Sequence, residues 1–168
     1  MPSLICHPDT PCPSVKTLEV EVSRGDLLDL RFRVTGTLDA ILWPEPAAPD
    51  RTDELWRHTC FEAFVAAAGL GYQEINLSPS GQWAVYAFDA YRAGMRPVAA
   101  SVRSTLAAGE LHAQVALDIP GDWQLGLSAV IELADGSKSY WALTHAPGPP
   151  DFHNRDCFTA TLAAPEPS

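Results

Sequence analysis

The chain has 168 residues, a formal net charge of −10 and a pI near 4.7, with 46% hydrophobic and 19% charged residues. That is the size and composition of one folded domain with a real core, not of a disordered segment. The acidic balance argues against nucleic acid and anionic membrane surfaces as partners, because both select Lys and Arg.

No apolar run approaches the roughly 20 residues that a membrane-spanning helix needs. The opening "MPSLICHPDTPCPS" has neither a basic n-region nor an apolar h-region, so the expectation is a cytoplasmic protein. Residues 1–14 are Pro-rich and expected to be loose, residues 15–163 form the single domain, and 164–168 are a tail. Cys6, Cys12, Cys60 and Cys157 form neither a dense disulfide framework nor paired C-x-x-C motifs, so four reduced thiols are expected.

"VKTLEVEVSRGDLLDLRFRVTG" alternates apolar residues at Leu18/Val20/Val22 and again at Leu28/Leu30/Phe32/Val34 around Arg24-Gly25, which predicts a strand pair. "LDAILWP" holds a short strand ended by Pro44, and "PEPAAPDRTD" is a surface loop. A helix is conceivable over 63–68. The β-branched and aromatic residues of 59–67 instead predict a strand. Residues 72–94, "YQEINLSPSGQWAVYAFDAYRAG", read as two strands around a turn. Two further hairpins follow, tipped by Ala108-Gly109 and by Asp135-Gly136, the latter a strong hairpin signal. "APGPPDFHNRD" is a long loop, and "CFTATLA" a closing strand. Roughly ten short strands joined by tight turns, with no long helix, predict an all-β fold, an antiparallel β-sandwich or barrel.

The stretch 72–94 poses the functional question. With a four-residue loop, Ser78 to Gly81, Leu77 pairs with Gln82 and Asn76 with Trp83. Ile75, Leu77, Ala84, Tyr86 and Phe88 then share a core face, and Tyr72, Glu74, Asn76, Trp83, Val85 and Asp89 share the other. A one-residue slip exchanges the faces of one strand relative to the other. Glu62 lies likewise inside an apolar strand. An ionised Glu there needs a partner or water. Either Glu62 and Glu74 pair with Arg57, Arg92 or Arg96 on a half-exposed sheet, or the aromatic and polar side chains form a platform for a small ligand.

"LWRHTCFEAFVA", "YQEINLSPSGQWAVYAFDAYRAGM" and "YWALTHAPGPPDFHNRDCF" together resemble the DOMON-like group of bacterial proteins, close to type 9 carbohydrate-binding modules. The resemblance spans about Val15 to Leu162. It implies a β-sandwich of jelly-roll or immunoglobulin-like type that binds a sugar or similar polyol without transforming it. Sugar-binding relatives carry a Trp six residues before a Glu, as Trp56 and Glu62 do. The resemblance makes Trp141 the second wall of an aromatic sandwich, with Asn76 and Arg92 as polar contacts; Glu74 and Trp83 complete the expected binding set. A structural calcium is not expected, since Thr59-Cys60 and Ala66-Ala67-Ala68 stand where relatives carry acidic residues. Haem-binding relatives use an axial Met and His, for which Met95 and His145 or His153 are the candidates. A protein-interaction scaffold with an exposed Trp cluster is a further alternative.

Catalysis is not expected. No G-x-S-x-G elbow, P-loop, H-E-x-x-H or G-x-G-x-x-G occurs. Glu62 and Glu74 could imitate a glycosidase pair, but two Glu on neighbouring strands are more often structural. His58, Cys60, His153 and Cys157 match no compact zinc spacing.

Overall fold

The structure, a computed structural model, describes residues 1–167. Twelve strands form two antiparallel sheets: β1 (Ile5–Cys6), β2 (Val15–Arg24), β3 (Leu28–Gly36), β4 (Cys60–Ala67), β5 (Tyr72–Leu77), β6 (Trp83–Phe88), β7 (Arg96–Pro97), β8 (Ser101–Ala107), β9 (Glu110–Ala116), β10 (Trp123–Glu132), β11 (Lys138–Ala142) and β12 (Ala160–Leu162). The smaller sheet has the order β2-β3-β9-β8. The larger runs β1-β11-β10-β4-β5-β6-β7, with β12 added to β10. This is a β-sandwich. The hairpins tipped at Ala108-Gly109 and Asp135-Gly136 stand where the turn residues put them, with positive φ at Ala108, Gly109 and Gly136.

The main core lies between the sheets. Leu18, Leu30, Phe32 and Leu111 of the small sheet pack with Phe61, Ile75, Leu77, Leu125 and Leu127 of the large one. These side chains alternate with outward ones, as strand geometry requires. The large sheet is also covered on its outer face, by the chain from Ala146 to Phe158, which packs with Phe64, Ala66, Tyr72, Ala84, Tyr86 and Phe88 in a second cluster. Strand β4 is therefore buried along its whole length on both faces. Gly126 in β10 makes room for this cover, since a Cβ there would lie 2.6 Å from Phe158 Cδ1.

Three expectations differ from the structure. Residues 1–14 are tied in rather than loose: β1 pairs with β11, and Leu4, His7 and Cys12 are buried. The segment after β3 is a 3-10 turn, Leu38–Ala40, followed by a single bridge from Ile41 to Leu133 rather than a strand. The third difference, the register of the β5–β6 hairpin, decides the site. Leu77 pairs with Trp83 and Asn76 with Ala84. The Ser78 amide donates to the Gln82 carbonyl (3.0 Å), so the loop is Pro79-Ser80-Gly81, three residues instead of four. Gly81 supplies φ +94°, and the Ser80 hydroxyl accepts from the Gln82 amide (3.1 Å). A three-residue loop with glycine in the left-handed region is a common hairpin solution. The one-residue change exchanges the faces of β6. Trp83 and Val85 join Ile75 and Leu77 toward the inter-sheet core, while Ala84, Tyr86 and Phe88 join Tyr72, Glu74 and Asn76 on the outer face.

Candidate functional site

The outer face of the large sheet carries a cavity of about 450 Å³. Its floor is β4, β5, β10 and β11, in register: Glu62 stands opposite Asn76 and Ser128, Phe64 opposite Glu74, and Val130 opposite Tyr140. Glu62, Phe64, Glu74, Phe88, Val130 and Tyr140 line it from the sheet. Trp56 enters from the 3-10 turn before β4, Arg92 and Met95 from the loop after β6, and Pro150, Phe152 and His153 from the loop after β11.

Glu62 (2% exposed) and Glu74 (6%) are buried. Their carboxyls are neighbours, close enough that each shifts the other's ionisation. Asn76 bridges them, its amide nitrogen donating to Glu62 Oε1 (2.8 Å) and Glu74 Oε1 (3.2 Å); these two acceptors fix the amide's orientation. Glu62 Oε2 is buried and has no donor facing it. Two carboxylates so close cannot both ionise cheaply. Burial first, and then the charge of Glu74, push Glu62 well above the usual carboxylate range; burial also raises Glu74. Burial and the neighbouring carboxylate therefore favour the protonated form of Glu62.

A second chain of hydrogen bonds approaches from the loops. The Arg92 amide donates to the Tyr72 hydroxyl oxygen (3.0 Å), and the Tyr72 hydroxyl is hydrogen-bonded to His153 Nδ1 (2.8 Å). His153 Nε2 lies 3.7 Å from Glu74 Oε2. Burial, and then the charge of Arg92, lower the His153 pKa to about 4, so the ring is neutral at pH 7. Its edge packs against Phe64 and Phe88, with centroids 5.0 and 5.1 Å away. Arg92 donates to Asp151 (3.0 Å) and to the Tyr91 hydroxyl (3.2 Å). Burial would raise Asp151, but the bonds from Tyr91 and Arg92 outweigh it and lower its pKa.

Of the residues singled out in the sequence, Trp56, Glu62, Glu74 and Arg92 line one cavity, and Asn76 joins the two carboxyls in its floor. Trp83 and Trp141 do not. Trp83 turns to the other face through the register of β6. Trp141 (6% exposed) stands opposite Ala129, packs in the inter-sheet core and donates from its indole to Ser139 Oγ (2.9 Å). Trp56 and Trp141 therefore share no cleft. The neighbouring Tyr140 reaches the cavity instead, because adjacent strand residues point to opposite faces.

Phe64, Phe88, Tyr140 and Phe152 were missed. Parity within β4 could have found Phe64, which shares the face of Glu62. Phe88 needed the correct register. Phe152 sits on a loop without periodicity and gave no signal beyond its place in "PDFHNRDC".

The haem candidates divide. Met95 and His153 line the cavity, whereas His145 Nε2 contacts the Ile5 carbonyl (2.6 Å) and its ring meets His7 edge-on. An axial histidine must offer iron a lone pair. His153 Nδ1 is hydrogen-bonded to Tyr72 (2.8 Å), and its Nε2 faces Glu74 Oε2 at 3.7 Å.

No protein-family model matches the chain, and no curated protein matches it. Among solved structures the fold is similar to that of a "putative carbohydrate-binding protein" from Bacteroides uniformis ATCC 8492. The TM-score is 0.66 at 16% identity, over 97% of this chain and 84% of that one. This likeness shows the fold.

Proposed function

We propose that the chain is a non-catalytic binding domain of DOMON-like type that holds a carbohydrate or similar small polyol in the cavity over β4 and β5. The observation that carries this reading is the combination of aromatic walls with a hydrogen-bonding floor, Glu62–Asn76–Glu74, in a volume suited to a small molecule. Sugar C–H faces stack on Trp56, and hydroxyls donate to the acceptors below. The carbohydrate-binding description of the structural neighbour supports the same reading. The test is calorimetric titration with a panel of mono- and disaccharides against the chain and Trp56→Ala. Binding that is lost in the variant supports the proposal; no sugar bound, or unchanged affinity in the variant, refutes it.

A further inference from the structure

The floor of the cavity is rich in acceptors and poor in donors. Glu62 and Glu74 meet there, and Glu62 Oε2 is buried with no donor facing it. Asn76 commits its amide hydrogens to the two carboxyls. His153 places its Nε2 3.7 Å from Glu74 Oε2, and burial beside Arg92 keeps the ring neutral. Arg92, the guanidinium lining the cavity, is already engaged by Asp151 and Tyr91. The charge of Arg92 reaches Glu74 only at a distance, and no Lys or Arg of the described residues contacts the pair. A buried charge without a counter-charge is costly.

A group that completes this floor must bring hydrogens and positive charge. A hydroxyl brings one hydrogen and two lone pairs that also need partners; an ammonium brings three hydrogens and no lone pair. The walls agree, since the faces of indole, phenol and phenyl rings attract cations. We propose that the ligand carries an ammonium group, as an amino sugar does, which docks on the Glu62–Glu74 pair. The sugar ring rests on the function proposed above; the ammonium group rests on the floor alone.

Four probes separate the two: D-glucosamine, D-glucose, N-acetyl-D-glucosamine and cyclohexylammonium, each titrated calorimetrically at pH 6.5. D-glucosamine is expected to bind at least about tenfold more tightly than either neutral sugar. In Glu62→Gln/Glu74→Gln, which keeps shape and removes charge, the preference is expected to fall below about twofold. Equal affinity for D-glucose and D-glucosamine in the unaltered chain overturns the inference without any variant, as does a preference that survives in the double variant. Cyclohexylammonium bound with no sugar bound sustains the ammonium site and refutes the carbohydrate reading. D-glucose bound without preference for the amine does the reverse, and no probe bound overturns both.

Discussion

Glu62 is buried beside Glu74 and keeps its proton in the folded chain, whereas in the unfolded chain it ionises near pH 4.3. A carboxyl whose folded pKa is raised contributes stability that is fully present below the unfolded value and is lost as pH rises toward the folded one. Each retained proton costs about 1.4 kcal/mol per pH unit over that window. From pH 5 to pH 7 Glu62 alone therefore removes on the order of a few kcal/mol, a large share of a typical domain's 5–15. Glu62→Gln removes the titration while the amide replaces the donated proton. Urea unfolding of both proteins at pH 5, 6 and 7 measures the difference, in which most other titrating groups cancel. The variant is expected to gain on the original by about 1.4 kcal/mol per pH unit. Parallel stability profiles would refute the retained proton, and with it the account of the paired carboxyls.

His153 moves stability the other way. Its folded pKa of about 4 lies below the ordinary value near 6.5, so its contribution is present above 6.5 and is lost as pH falls toward 4, and its imidazole NMR shifts should stay flat from pH 5 to 8; a midpoint near 6.5 would contradict the burial of the ring beside Arg92. Trp141→Ala is expected to cost about 3–5 kcal/mol in urea unfolding because the side chain fills the core. Trp56→Ala should cost under about 0.5 kcal/mol, since Trp56 is 46% exposed; similar losses in the two variants would contradict their assignment to different faces. Gly126→Ala should lower stability by about 1–3 kcal/mol through the clash with Phe158, and an unchanged urea midpoint would show that the outer cover gives way freely.

Period-two alternation in β2 and β3, the Asp135-Gly136 tip and the spacing of short strands determined the all-β sandwich, because each is a local consequence of strand and turn geometry. Glu62 and Glu74 were also visible as carboxylates out of place in apolar strands, and their separation by one hairpin made neighbouring positions natural. Tertiary structure decided the rest. "WAVYAF" is apolar on both faces, so its pattern holds no information about which side is core; the three-residue loop closed by Ser78, Ser80 and Gly81 sets it. Tyr140 and Trp141 are adjacent aromatics, and only the pairing of β11 with β10 sends the first to the cavity and the second to the core. His153 reaches Tyr72 and Glu74 across a separation of about eighty residues, carried by a loop without periodicity. Alternation along a strand says that faces exist; hydrogen-bond register between strands says which residues share one.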